Sequence, residues 1–241
     1  MDWRRQVYRT RDRALAWLLP PRCLLCMAAG EHGRDLCGGC RDDFTINDVC
    51  CSRCALPLDQ PALLCGRCLK LEPAFAAAWV PFVYGHPLNL LETRFKFAGD
   101  LAAGRVLADC MIDRALIDRP ALPDVLIPVP LHTQRLRQRG YNQALELARP
   151  IAQALGIDIA IDRLQRQRNT TPQTGLDAAA RRRNLARAFS LVDGESLPAH
   201  VAIFDDVMTT GSTLGESARV LRKAGVERVD VWALARAPAK R

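Results

Sequence analysis

Short apolar runs and helically spaced apolar positions alternate along most of this chain. Ala78 to Tyr84, the segment Asp124-Val-Leu-Ile-Pro-Val-Pro130, Ile157 to Ile161, Val201 to Phe204 and Val229 to Ala235 each read as a strand. Unbroken runs of this kind suit strands buried on both faces of a parallel sheet. Between them, Pro87 to about Arg119 carries helical patterning broken near Gly99, and Asn142 caps a helix that runs to Leu155 and stops at Gly156. After Ser212-Thr213, Leu214, Ala218 and Leu221 recur at helical spacing until Gly225. Strand and helix in alternation predict an α/β fold around a mostly parallel sheet, with helices on both faces.

Three stretches depart from this alternation. Residues 1–20 place Trp3, Val7, Ala14, Trp17 and Leu18 among Arg4, Arg5, Arg9, Arg11 and Arg13, which predicts a short basic helix docked on the rest of the protein, with a membrane surface or nucleic acid as alternative contacts. Residues 163–189 show no strand pattern and read as a long Arg-rich excursion, expected to form a mobile cover over an anionic ligand. Residues 21–72 are organised by cysteine instead.

That segment holds four C-x-x-C pairs: Cys23 and Cys26, Cys37 and Cys40, Cys51 and Cys54, Cys65 and Cys68. The second two pairs repeat the first two at an offset of 28 residues. Each C-x-x-C makes a tight knuckle presenting two thiolates, and two knuckles complete a tetrahedral four-thiolate site, so two structural zinc ions are expected. Sequential pairing follows from the repeat, and interleaved pairing stays open. Cys50 is a spare thiol, His32 a loop residue, and Cys110 a core residue among Leu107, Met111 and Ala115. A module this small needs the metal, whereas residues 73–241 are long enough to bury a core of their own.

Charge changes the picture by its location. The net charge of +8 is concentrated. Arg163, Arg166, Arg168, Arg181, Arg182, Arg183 and Arg187 face one acid, Asp177, and Arg135, Arg137 and Arg139, in a segment at 131–143 that reads as a basic loop after the strand ending at Pro130, face none. Such a field suits a polyphosphate ligand or a nucleic-acid backbone. No apolar run is long enough to span a membrane, and Ala14 to Leu19 is too short for a secretory core, so a cytoplasmic protein with reduced thiols is expected.

The chemistry centres on Val201-Ala-Ile-Phe-Asp-Asp-Val-Met-Thr-Thr-Gly-Ser-Thr213, an apolar strand, two carboxylates, a polar loop and a helix start. Free backbone amides and the helix dipole there favour an anion, and Gly211 lets the backbone approach it. No Lys follows Gly211, which sets this apart from a Walker A loop. Asp205 and Asp206 would repel a phosphate, so they suit sugar hydroxyls or magnesium. This run resembles the phosphoribosyl-pyrophosphate (PRPP) signature of type I phosphoribosyltransferases. The resemblance implies that Asp205 and Asp206 take the ribose hydroxyls and that Val207, Met208, Thr209, Thr210, Gly211, Ser212 and Thr213 bind the 5′-phosphate. His132, Arg135 and Arg139, after the strand at 124–130, then fall where pyrophosphate sits with Mg²⁺, and Arg166 and Arg168 would close over it.

The four knuckles, Pro-Val-Pro130 with Arg135-Leu-Arg-Gln-Arg-Gly-Tyr-Asn-Gln143, Thr171-Pro-Gln-x-Gly-Leu176 with Arg183-Asn184, and the PRPP signature occur in one order that resembles the ComF family of competence-associated proteins. That resemblance implies a type I phosphoribosyltransferase fold behind a double zinc ribbon, and a role in natural transformation with single-stranded DNA and DNA-uptake proteins as partners. PRPP as substrate, PRPP as a bound signal and single-stranded DNA as ligand remain three open readings. No motif names an acceptor base.

Overall fold

In the computed structural model, which describes residues 20–167, 188–192, 194 and 196–239, the cysteine repeat recurs in the backbone. Cys23 N–H donates to Ala28 O at 2.8 Å, as Cys51 N–H does to Leu56 O at 2.9 Å. Leu24 N–H donates to Asp35 O and Ser52 N–H to Leu63 O, both at 3.0 Å. Met27 and Ala55 take left-handed backbone with φ of 65° and 52°, the turn that lets each knuckle double back. Single-turn helices follow in each unit, α1 (Gly38–Asp42) and α2 (Gly66–Lys70). Every one of these pairs is offset by the 28 residues of the sequence repeat.

The remaining strands are β1 (Ala78–Trp79), β2 (Phe82–Val83), β3 (Val125–Pro128), β4 (Asp158–Ile159), β5 (Leu164–Arg166), β6 (Phe189–Leu191), β7 (His200–Met208) and β8 (Arg228–Arg236). One sheet runs β1-β8-β7-β3-β4, with β2 also paired to β8, and every pairing in it is parallel. Val201, Ala202, Ile203 and Phe204 are fully buried at its centre, and Trp232 packs edge-on against Trp79 at 4.9 Å between ring centroids.

Among the described residues, the domain's helices are α3 (Leu88–Phe97), α4 (Leu101–Asp118), α5 (Thr133–Arg139), α6 (Gln143–Leu155) and α7 (Ser212–Lys223). Asp100 caps α4 through its carboxylate and Asn142 caps α6 through its amide oxygen, as their residue types favour. Helices α4 and α6 pack on each other, and α7 packs on β7 and β8. Cys110 is buried on α4, as expected, and burial pushes its thiol pKa up to about 12.

Four sequence expectations need correction. The strand at 78–84 is two short strands, because Pro81 cannot donate and its carbonyl instead accepts from Asn47 N–H at 2.9 Å. Residues 131–143, read as a basic loop, contain helix α5, capped by the His132 ring at one end and by Gly140 at φ 84° at the other. The excursion at 163–189 begins and ends as an antiparallel ribbon of β5 and β6, anchored by buried Leu164 and Phe189. Finally, β7 runs through Asp205 and Asp206 to Met208, so the acidic pair stands within the strand. The expected basic helix at 1–20, apart from Pro20, and the expected cover between 168 and 187 lie outside the described residues.

Candidate functional site

At the carboxyl ends of β3 and β7 a cleft of about 530 Å³ is lined by Asp205, Asp206, Thr213, Arg135, Arg139 and Arg166, together with Lys96, Tyr141 and Gln143. Helix α5 presents Arg135 and Arg139 one turn apart, so both reach the same space. Arg166 arrives from β5, its guanidinium 5.5 Å from the centre of the Phe189 ring. Burial, reinforced by Arg139, lowers the Arg135 pKa, and burial reinforced by Arg135 lowers that of Arg166. Guanidiniums crowded in this way gain when a polyanion enters.

The carboxylates occupy unlike environments. Asp206 is buried and its Oδ2 lies 3.0 Å from Lys96 Nζ. Lys96 also meets Glu92 Oε1 at 2.9 Å, and Tyr84 donates its hydroxyl to Glu92 Oε2 at 3.3 Å. Burial works against the Lys96 charge, yet Asp206 and Glu92 hold its pKa well above the ordinary lysine value. Asp205 has no ion-pair partner among the described residues; burial, and the Asp206 carboxylate beside it, push its pKa up to about 7 against the pull of Lys96. Its Oδ1 accepts from Asp206 N–H at 3.0 Å. In sequence, Arg94-Phe-Lys96-Phe is a basic-aromatic alternation that reads first as a solvated helix face and second as a ligand contact by Lys96; in the structure the Lys96 side chain lines the cleft. Gln143, only 2% exposed and with Nε2 unpartnered among the described residues, was missed, although its place beside the Asn142 cap is a signal that the residue is held rigidly.

The polar loop turns at Gly211, with φ 71°, where a β-carbon would stand 2.7 Å from Met208 Cε. Thr210 and Ser212 hydroxyls lie 2.8 Å apart, and Ser212 N–H donates to Thr210 Oγ1 at 3.3 Å. Thr213 alone of this loop lines the main cleft; Met208, Thr210, Gly211 and Ser212 line a neighbouring cavity of about 190 Å³ against Cys54, Arg67 and Arg236. Thr209 is exposed and Val207 half-buried, and neither lines the main cleft or the neighbouring cavity. His132 lies outside the cleft lining and serves as the α5 cap, its Nδ1 accepting from Gln134 N–H at 3.3 Å. Arg168 falls outside the described residues.

The eight cysteines form two groups, Cys23, Cys26, Cys37 and Cys40, then Cys51, Cys54, Cys65 and Cys68, with all four sulfurs of each within 4.8 Å of one another. Pairing is therefore sequential. Cys26 and Cys37 Sγ are 3.6 Å apart, and Cys54 and Cys65 Sγ 3.7 Å. A tetrahedron of thiolates at about 2.3 Å from zinc has edges near 3.8 Å, so both groups fit structural zinc. The second group is entirely buried, whereas Cys26 is exposed and Cys37 and Cys40 are half-buried. Cys50 and His32 belong to neither group.

A parallel sheet with an acidic pair and a Thr-rich loop at its carboxyl edge, joined to two four-cysteine sites, defines a phosphoribosyltransferase-domain protein with a double zinc ribbon. The corresponding family models match directly: the double zinc ribbon domain over residues 14–69 and the phosphoribosyl transferase domain over residues 142–241. The chain is 39% identical over 223 residues to Competence protein F of Haemophilus influenzae, covering 90% of this chain and 97% of that protein. It is 36% identical over 228 residues to DNA utilization protein YhgH of Salmonella typhi, covering 90% and 98%. Competence protein ComFC of Streptococcus pneumoniae is 24% identical over 155 residues, covering 64% and 66%. The chain belongs to the ComF family that these proteins represent.

Proposed function

We propose that this protein is cytoplasmic, binds PRPP with Mg²⁺ and serves the uptake of DNA in natural transformation; the names of its relatives, which speak of competence and DNA utilization, support the last part alone. The observation that carries the reading is the convergence of Asp205, Asp206, Thr213, Arg135, Arg139 and Arg166 on one cleft. Asp205 and Asp206 would accept the ribose hydroxyls, residues 207–213 the 5′-phosphate, and Arg135 and Arg139 the pyrophosphate. Residues 1–20, 21–72 and 73–241 would serve as basic arm, double zinc ribbon and catalytic or binding domain.

Among the described residues only the cysteine groups could ligate a metal through three or more side chains. Magnesium would therefore be held jointly by the ligand phosphates and a carboxylate of the pair, its usual arrangement, and would neutralise charge on a pyrophosphate leaving group. If transfer occurs, its barrier is lowered by positioning and by the arginine field rather than by acid–base chemistry. Calorimetric titration with PRPP and Mg²⁺ tests the binding. Wild type should bind and the double variant Asp205→Asn with Asp206→Asn should not; no binding to wild type would overturn the reading.

A specific feature favours a second reading, a site for single-stranded nucleic acid. Phe97 is 74% exposed at the cleft rim, with the Arg139 guanidinium 5.7 Å from its ring centre. An exposed ring beside an arginine is a platform on which a base stacks. Oligonucleotide affinity should then fall steeply with added salt and drop with Phe97→Ala. A flat salt dependence would remove this reading.

A further inference from the structure

The carbonyls of the phosphate loop are gripped from one side by two guanidiniums. Arg236, on β8 and only 3% exposed, donates through Nη1 to Met208 O at 2.9 Å, to Thr209 O and to Ala237 O at 2.8 Å. Through Nε it donates to Cys54 O at 3.0 Å. Arg67, between the ligand cysteines 65 and 68, donates through Nη1 to the next carbonyl, Thr210 O, at 2.7 Å. Three successive loop carbonyls thus face the second four-cysteine site.

A trans peptide points its N–H opposite to its C=O. Fixing the carbonyls of residues 208, 209 and 210 therefore turns the amides of Thr209, Thr210 and Gly211 the other way. Among the described residues none of those three amides donates to another group. Adjacent unpaired amides on one side of a turn form a concavity that takes an anion. On the opposite side lies the second four-cysteine group, with Arg236 bonded to Cys54 O and Arg67 between Cys65 and Cys68 in the chain; zinc held by its four thiolates would carry a net double negative charge there.

We propose that Arg67 and Arg236 are positioning residues for the loop and that the second zinc site, acting through them, holds the loop amides in their anion-binding arrangement. The inference rests on the loop taking a phosphate. It assigns the second zinc ribbon a part in ligand binding that the first does not share, since the first meets the domain elsewhere: Arg94 Nη1 donates to Leu24 O at 2.6 Å, and Arg34 pairs with Asp113.

Two measurements on the full chain test this. The first uses no ligand: backbone amide order parameters of residues 209–211, by NMR. Emptying the second site with Cys65→Ser and Cys68→Ser, and confirming one zinc instead of two, should lower these from about 0.85 to below about 0.6. Emptying the first site with Cys37→Ser and Cys40→Ser should leave them unchanged. Equal effects of the two, or no effect of the second, would overturn the inference. In the second measurement, calorimetry with PRPP and Mg²⁺, Arg67→Ala should weaken binding by about tenfold, as loss of one charged hydrogen bond predicts. Arg67→Lys should restore it, because one carbonyl needs one donor; a lysine variant as weak as alanine would count against the role. If wild type binds no PRPP, the proposed function falls, and the order parameters still decide the linkage.

Discussion

Gly211 holds a left-handed backbone that residues with a β-carbon rarely adopt. With φ at 71° and Met208 Cε 2.7 Å from the β-carbon position, Gly211→Ala should cost about 1–2 kcal/mol of stability in urea denaturation and should weaken PRPP binding more than that loss explains. Asp205 offers a pH test. Its pKa of about 7 lies above the unfolded value near 4, so the folded state holds a proton that the unfolded chain has lost. Stability contributed by Asp205 is therefore present below pH 4 and declines as pH rises through 7. The prediction is that Asp205→Asn raises the melting temperature relative to wild type more at pH 8 than at pH 5; a pH-independent difference would contradict it. At this scale the acidic pair was legible because two adjacent carboxylates before a Thr-Thr-Gly-Ser-Thr run have a specific use. Lys96 was obscure, since nothing local distinguishes a lysine aimed at solvent from one aimed at a carboxylate 110 positions later.

Among the elements, the pairing of α3 with α4 is the tightest to be tested. A β-carbon on Gly104 would stand 2.6 Å from the Phe95 ring, so the two helices approach only because residue 104 has no side chain. Gly104→Val should cost about 1–3 kcal/mol, read by urea denaturation, as overpacking does. It should also loosen Lys96, carried by α3, and so reduce PRPP affinity. The buried strands and long helices were readable because apolar runs and 3.6-residue spacing persist over many residues. Helix α5 carries no such stripe: it is specified by its caps, His132 and Gly140, and by where its arginines must point. Strands β5 and β6 are three residues each, and their register comes from partners more than twenty positions apart, which no local window contains.

For the molecule as a whole, the tandem ribbons are alike in sequence and unlike in what they touch. One braces helix α4 through Arg34 and Asp113, and the other braces the loop through Arg67. Full removal of zinc by a strong chelator should therefore lower the melting temperature and abolish PRPP binding together, because structural zinc contributes directly to folding. Retained PRPP affinity in metal-free protein would show that the domain stands without its ribbons. The unequal burial of the two cysteine groups adds an order in time. With Cys26 exposed and the second group wholly covered, thiol reagents and chelators meet the first centre sooner. Zinc release should be biphasic, one ion early and one late, with the loop intact through the first phase. An oxidant pulse short enough to end between the phases would leave a protein that has lost half its metal and kept its grip on the ligand.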